Sequence, residues 1–160
     1  LLFNLQTATY LLMPVITVTL FTLGGSFFLW RKIGAEPAPL YEPTKNPLSL
    51  PIAVLFGLLY GAVLLFSHMA QFHFGEEGLF VVAGLSGITD VDAITLTISQ
   101  MAAEGTLAET AARTILLAAA VNSLVKLSFG VVLAHPKTRL RLATALLPMV
   151  LIPALSILLI

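Results

Sequence analysis

The sequence predicts an all-α, polytopic membrane helix bundle with four spanning helices and one broken or re-entrant helical segment. Of its 160 residues, 58% are hydrophobic and only 10% are charged, and the mean hydropathy is +1.00. A soluble domain carries about 25% charged residues, so this chain has too few polar side chains to cover its surface in water. Five apolar stretches follow one another along the chain, separated by short polar connections. The lipid bilayer is therefore the first partner that the sequence implies.

The first two apolar stretches are predicted to be complete spans. Residues 8–30 and residues 48–72 each reach the length of about 20 apolar residues that a bilayer crossing requires. The polar connection between them, residues 31–47, is rich in proline and carries lysine and arginine, so it is expected to be an extended cytoplasmic segment. Within the second span, Gly57 and Gly61 form a small-xxx-small pattern, which lets two helices approach closely.

The third apolar stretch, residues 79–103, is predicted to be broken. A short loop at residues 76–78 precedes it. Two glycines loosen the backbone, and Thr89-Asp-Val-Asp92 has the form of a helix capping box, so the helix is expected to break near residues 84–88 and to restart at Asp90. Unwound backbone inside a bilayer must be buried in protein or line a wet cavity, and broken helices of this kind are typical of transport sites.

Residues 107–134 are predicted to form a long helix and residues 140–160 the last span. Thr106-Leu-Ala-Glu109 has the form of a capping box at the start of the long helix, and Gly105 suits the position just after the preceding helix. If the third stretch enters and returns, the basic residues between the last two helices fall in the cytoplasm with those of the first connection, which the positive-inside rule favours. An interrupted but complete crossing is the alternative.

Two carboxylates at the predicted break are the most informative polar residues. An ionised Asp at the centre of a membrane helix costs about 2.5–3.5 kcal/mol on insertion scales, and Asp90 and Asp92 both lie in this segment. Residues two apart are about 200° apart around a helix, so Asp92 lies on one side with Thr95 and Asp90 lies nearly opposite. The sequence therefore predicts a site for a proton or a small cation, with helix capping alone as the alternative.

Lys126 and Asn122 lie one turn apart on the predicted long helix and supply the polar groups expected to face this break. Side chains lean toward the helix N-terminus, so Lys126 leans toward Asn122; the alternative, snorkelling to the cytoplasmic end, spans about 10 Å. We expect Lys126 to pair with Asp90 or Asp92, which leaves a net negative site that hydroxyl and carbonyl oxygens complete as hard ligands. The neutral residues of the predicted site are Thr89, Thr95 and Ser86.

Several classes of function lack support in the sequence. The formal net charge is zero, which gives no reason to expect a nucleic-acid partner, and the absence of cysteine excludes thiol catalysis and cysteine metal sites. No Gly-rich phosphate loop, Ser-His-Asp constellation or zinc motif is present. The paired aspartates face opposite ways, which disfavours a shared-proton dyad. The sequence therefore predicts no catalytic residue, no metal centre, no cofactor and no enzyme activity.

The chain resembles a known family in two stretches. They are Gly84-Leu-Ser-Gly-Ile-Thr-Asp-Val-Asp-Ala-Ile-Thr-Leu96 and Ala118-Ala-Ala-Val-Asn-Ser-Leu-Val-Lys126, and Lys45-Asn-Pro-Leu48 at the entry to the second span extends the likeness. The family is the uncharacterised membrane domain that follows the MgtC/SapB domain in many bacterial and archaeal proteins. The resemblance implies that residues 1–160 form a single transmembrane domain, the C-terminal part of a longer protein, in the cytoplasmic (inner) membrane.

Together these features predict a transporter domain that moves a small ion or solute through a polar site at the broken helix. So few helices would need a partner copy to enclose a pathway, so we expect a homodimer. The alternative is a regulatory or scaffolding membrane subunit that binds another membrane protein. In that case the polar residues would act as interhelical contacts, and Gly57 and Gly61 would form the packing face.

Overall fold

The structure, a computed structural model, describes residues 5–33, 50–134 and 136–160. These residues form five helices: α1 (Leu5–Ile33), α2 (Leu50–Thr89), α3 (Asp92–Glu104), α4 (Ala108–Leu133) and α5 (Pro136–Leu159). All except α3 are long and apolar enough to cross a membrane. The described residues contain no strand, so the predicted all-α membrane bundle is confirmed. The predicted connection at 31–47 lies outside the described residues from residue 34 onward.

Helix α2 reverses its direction at Gly75. This residue has backbone angles of φ 62° and ψ −142°, which residues with a side chain rarely adopt. Beyond it, Gly78 lies so close to the backbone carbonyl of Ala70 that no side chain would fit, whereas residues eight apart in a straight helix are about 12 Å apart. We call residues 50–74 the first limb of α2 and residues 76–89 the second limb. The predicted loop at residues 76–78 is wrong, because one glycine makes the turn and the helix restarts at once.

The second limb of α2 and helix α3 form a hairpin that enters and leaves at the same end of the bundle. The hairpin begins beside α4, where the Thr110 hydroxyl donates to Glu76 Oε1 at 2.7 Å. It ends beside the first limb, where Gln71 Nε2 donates to Thr106 Oγ1 at 3.2 Å. The two arms are roughly 21 and 20 Å long, so neither spans a hydrocarbon core of about 30 Å. The hairpin is therefore re-entrant, and the alternative of a complete crossing is wrong.

Charged residues separate between the two ends of the bundle. Helices α1 and α5 run antiparallel, because Tyr10 near the start of α1 and Leu159 at the end of α5 line one cavity. Arg31, at the end of α1, consequently lies at the same end of the bundle as Arg139, at the start of α5. The opposite end, which we call the acidic end, carries Glu76, Glu77, Glu104 and Glu109, together with Arg113, which pairs with Glu109. This separation is the one predicted from the positive-inside rule.

The core of the bundle surrounds the hairpin, and small residues allow it to pack closely. Its largest fully buried apolar side chains are Leu79, Ile94, Ile98 and Met101. A Cβ atom on Gly87 would lie 2.6 Å from the Ala118 carbonyl oxygen of α4 and 3.1 Å from Val121 Cβ. Gly87 thus permits close contact and does not loosen the helix, which continues through residue 89. The predicted break at residues 84–88 is wrong by a few residues, since the chain leaves the helix only at residues 90–91.

Both predicted capping boxes are absent. Helix α3 follows Val91 and helix α4 follows Leu107 at the N-cap position, and neither residue makes a side-chain capping hydrogen bond. Glu109 pairs instead with Arg113 at 2.8 Å, one turn along α4. The predicted role of Gly105 is confirmed: it ends α3 with φ 126°, in the region that favours glycine.

Candidate functional site

The break between α2 and α3 lies halfway along the bundle. The second limb of α2 follows α4 from the acidic end to the contact between Gly87 and Ala118 near the hairpin tip. The break at residues 90–91 is therefore level with Asn122, one helical turn beyond Ala118. Asn122 lies roughly 21 Å along α4, whose full length is roughly 39 Å. Two helix ends and two carboxylates thus meet near the middle of a membrane crossing.

Asp90 is half-buried and forms the turn between the two helices. Its backbone N–H donates to the Ser86 carbonyl oxygen at 2.9 Å, and its Oδ1 accepts from the Val91 N–H at 2.8 Å. The Thr89 hydroxyl donates to the same Ser86 carbonyl at 2.9 Å. The second carboxylate oxygen of Asp90 makes no hydrogen bond within the described residues. One oxygen of Asp90 therefore holds the turn, and the other is available to a ligand.

Asp92 is exposed at the first position of α3. Across the described ranges it has no hydrogen-bond or ion-pair partner. The start of α3 has no side-chain cap, so its free N–H groups and the helix dipole favour negative charge there by about 0.3–1 kcal/mol. This is much less than the cost of an ionised Asp in a bilayer, about 2.5–3.5 kcal/mol, so another group must compensate its charge.

Asn122 is a buried residue of α4 at the level of the hairpin tip. It is only 4% exposed, and its amide Nδ2 has no hydrogen-bond partner in the part of the chain that the structure describes. An unsatisfied buried polar group costs about 1–3 kcal/mol. Its position one turn beyond the contact between Gly87 and Ala118 places this amide beside the break. Asn122 is therefore a buried polar group that either Asp90 or a bound ligand can satisfy.

Lys126 does not form the predicted ion pair with Asp90 or Asp92. It is exposed on α4, and the ion pairs among the described residues join other side chains, His68 with Glu104 at 3.9 Å and Arg113 with Glu109 at 2.8 Å. The reason is geometric, because Asp92 and Lys126 are both exposed and face outward on separate helices. The sequence predicted that Lys126 lies near mid-depth with a charge opposite to that of the two aspartates, but the side chains do not meet within one chain.

The hydroxyl groups of the predicted site point to different places. Thr95 lines a cavity of about 340 Å³ between α1, α3, α4 and α5, together with Ser123. Ser86 lines an apolar groove of about 440 Å³ between the two limbs of α2. Thr89 is exposed at the end of the second limb. The structure thus brings Asp90 and Asn122 to one level and does not bring the hydroxyls of Ser86 and Thr95 to the carboxylates.

A polar network at the acidic end was not foreseen from the sequence. Tyr60 Oη donates to Gln100 Oε1 at 3.0 Å, and Gln100 Nε2 donates to Glu104 Oε1 at 3.1 Å, so the network joins the first limb of α2 to α3. A cavity of about 300 Å³ beside it is lined by His68, Gln71, Met101, Glu104, Gly105 and Thr106. The sequence feature that could have indicated this network is the presence of two polar residues, Tyr60 and Gln100, inside apolar stretches.

The groups around the break suit a small cation held by oxygen atoms. The last carbonyl groups of a helix have no partner within that helix, so the end of the second limb adds carbonyl oxygens to the carboxylates of Asp90 and Asp92. Oxygen ligands of this type prefer hard cations. Among the described residues, no three His, Asp or Glu side chains converge as the ligands of a metal ion.

Comparison with known proteins identifies similarity over most of the chain. Residues 1–134, which contain α1 to α4, match the model of a family described as "Domain of unknown function (DUF4010)". An uncharacterized protein of Aquifex aeolicus (strain VF5) is 40% identical over 97 residues, which are 60% of this chain and 42% of the relative. The match thus spans about two fifths of the length of that relative. No solved structure is significantly similar to the chain.

Proposed function

The chain belongs to the family described as a domain of unknown function (DUF4010), and from its geometry we propose that it is a membrane transporter domain that moves a proton or another small cation. The position of Asp90 carries this proposal. Asp90 is a half-buried carboxylate with one free oxygen, at the tip of a re-entrant hairpin halfway across the bundle. A lone carboxylate at that depth costs about 2.5–3.5 kcal/mol, and a bound cation offsets that cost.

The break is suited to both the loaded and the empty state of the site. When a cation is bound, the carbonyl ends of the second limb of α2 provide neutral oxygen ligands beside Asp90. When the cation leaves, the uncapped N–H groups at the start of α3 stabilise the remaining negative charge. Discontinuous membrane helices in transporters use their two ends in this way. The unpartnered amide of Asn122 is a further polar group that can hydrogen-bond to Asp90 in one state and to the ligand in the other.

The acidic end provides a route by which a cation can reach the hairpin. Glu76, Glu77 and Glu104 give this end a negative potential, which raises the local concentration of cations. The cavity lined by His68, Gln71, Glu104 and Thr106 opens there, and the hydrogen bonds from Glu104 through Gln100 to Tyr60 continue along the interface between the first limb and α3.

Flux measurements on the reconstituted full-length protein test the proposal. Proteoliposomes are given gradients of H⁺, Na⁺, K⁺ or Mg²⁺ in turn, with an internal dye specific for the ion under test, which separates proton movement from movement of a metal ion. We expect Asp90→Asn to reduce the initial rate at least about tenfold, the effect of losing about 1.4 kcal/mol of stabilisation. Asp92→Asn is expected to reduce it as well.

Glu109→Gln is the matched control, because the charge of Glu109 is already paired with Arg113 at 2.8 Å and its neutralisation leaves the hairpin tip unchanged. Flux that is equal in the wild type, Asp90→Asn and Asp92→Asn would exclude the proposed site. A wild-type protein that moves none of the four ions would exclude cation transport by this domain.

One observation favours a second candidate, a scaffolding or regulatory membrane subunit. A Cβ atom added to Gly57 or to Gly61 would meet no other atom within 4 Å, so this small-residue face of α2 is not used for packing within the part of the chain that the structure describes. Such faces bind other membrane helices. Co-purification of a stable membrane partner that is lost in Gly57→Leu, together with the absence of flux, would support this function instead.

Two further expectations stay predictions. The first is an MgtC/SapB domain in the same polypeptide, which the complete reading frame tests. The second is the cytoplasmic membrane of a bacterium or archaeon, which membrane fractionation of the native host tests. The apolar helices support a multi-pass membrane protein and do not distinguish one membrane from another.

A further inference from the structure

Two opposite charges are exposed near the middle of the membrane crossing. Asp92 at the start of α3 and Lys126 on α4 are both exposed, and neither has a hydrogen bond or an ion pair within the described residues. Each charge costs about 2.5–3.5 kcal/mol at the bilayer centre when unpaired. The two charges therefore create a strong requirement for a covering surface with complementary charge.

The two charges lie at nearly the same depth. The hairpin tip is level with Asn122, because Gly87 in the second limb meets Ala118 in α4. Asp92 follows the tip directly, and Lys126 lies one turn beyond Asn122, a step of about 6 Å along α4. The Lys126 side chain leans back toward Asn122 and so toward the level of Asp92. Asp92 and Lys126 therefore fail to pair within one chain because they face outward on separate helices, not because they lie at different depths.

A second copy of this chain offers the charges that this surface needs. A two-fold axis along the membrane normal leaves the depth of every residue unchanged, so Asp92 of one copy meets the partner's Lys126 at its own level. The same operation brings Lys126 of the first copy to the partner's Asp92, as an isologous interface requires. We propose that the protein is a two-fold dimer in the membrane, held at mid-depth by two reciprocal ion pairs between Asp92 and the partner's Lys126.

The dimer also completes the site at the break. With Asp92 neutralised by the partner's Lys126, Asp90 is the one carboxylate at each hairpin tip that lacks a countercharge. Each copy then binds a single positive charge, a proton or a monovalent cation, in preference to a divalent ion. This consequence for the ligand rests on the proposed transport function, whereas the reciprocal pairing does not depend on it.

Cysteine cross-linking between two differently tagged copies tests the pairing. The chain contains no cysteine, so one copy carries only Asp92→Cys and the other only Lys126→Cys. Both are co-expressed as full-length protein and oxidised in membranes. We expect a disulfide-linked species that carries both tags. The matched control replaces Lys126→Cys by Ser128→Cys, an exposed position about 200° away around α4, and we expect no such species from it.

Charge exchange gives a second, independent measurement. We expect Asp92→Lys or Lys126→Asp alone to weaken dimerisation in lipid by about thirtyfold or more, because each change leaves buried like charges opposed. Combined in one chain, the two changes restore the pairs and the dimer. Absence of the two-tag species, or a double variant no better than the single ones, would overturn the proposal. A cross-linked dimer without flux would exclude the transport function and leave the pairing intact. A protein that is monomeric in lipid and shows full flux would exclude the pairing and leave the transport function intact.

Discussion

Substitution of Gly87 by alanine tests whether close packing on α4 positions the hairpin tip. The new Cβ atom would lie 2.6 Å from the Ala118 carbonyl oxygen, a backbone atom that cannot move unless α4 moves. Overpacking of this kind costs about 1–3 kcal/mol. Gly84 provides a matched control one turn earlier in the same limb, because a Cβ atom there meets nothing within 4 Å. Both substitutions are stabilised by the same amount, about 0.8–1.0 kcal/mol, because alanine has a higher helix propensity than glycine.

The difference between the two variants therefore isolates the contact with α4. We expect Gly87→Ala to be less stable than Gly84→Ala by about 1–3 kcal/mol, measured as the free energy of unfolding in mixed micelles by circular dichroism. We also expect flux to fall in Gly87→Ala and not in Gly84→Ala, because only the former displaces the tip from Asn122. Equal stability and equal flux in the two variants would refute the argument that Gly87 sets the depth and position of the break.

Three further predictions concern single interactions in the bundle. Gly75→Ala is expected to lower the unfolding free energy by about 1–3 kcal/mol relative to Gly61→Ala, since Gly75 has a positive φ and Gly61 does not; equal thermal midpoints would contradict this. Thr110→Val removes the hydrogen bond to Glu76 (2.7 Å) and should lower the unfolding free energy by about 1.5–3 kcal/mol, measured by chemical unfolding. Its control is Thr17→Val, because the Thr17 hydroxyl bonds within its own helix; this change should alter the unfolding free energy by about 0.5 kcal/mol or less. Asn122→Leu removes an unsatisfied buried amide and should raise stability by about 1 kcal/mol while it lowers flux; lower stability or unchanged flux would show that Asn122 is a structural residue.

The membrane helices could be predicted because hydropathy over about 20 residues is sufficient to define a span. Pro14 lies inside α1, and Pro148 and Pro153 lie inside α5, yet none of them ends its helix, because apolar length determines the span and neighbouring helices satisfy the freed backbone groups. The re-entrant hairpin was also predictable, because the placement of basic residues favoured it. The direction in which each of these helices runs across the membrane follows from that placement.

The details of the hairpin could not be predicted, because glycine has more than one role. Gly75 makes the reversal through its positive φ, Gly87 permits close contact with α4, and Gly84 is an ordinary helical position. The local sequence does not distinguish these roles; the neighbouring helix does. The break was accordingly predicted a few residues too early.

The depth of the candidate site residues was predictable from the sequence, whereas their contacts were not, and that they bind a ligand stays a prediction. Asp90, Asp92, Asn122 and Lys126 all lie near the middle of the bundle, as predicted. Whether Lys126 reaches a carboxylate depends on how far α4 is rotated and on where the hairpin ends, and both are properties of packing. The sequence contains the charges, whereas the packing leaves Lys126 and Asp92 facing outward.

The re-entry of residues 76–104 places the carboxylates at mid-depth, and side-specific labelling tests it most directly. Single cysteines at Glu77, Leu107 and Ala134 in the cysteine-free chain are treated with a maleimide that does not cross the membrane, once in intact cells and once in inside-out membrane vesicles. The structure predicts that Glu77→Cys and Leu107→Cys react from the same side and that Ala134→Cys reacts only from the other. Labelling of Glu77→Cys and Leu107→Cys from opposite sides would mean that the segment crosses the membrane, and it would contradict the account.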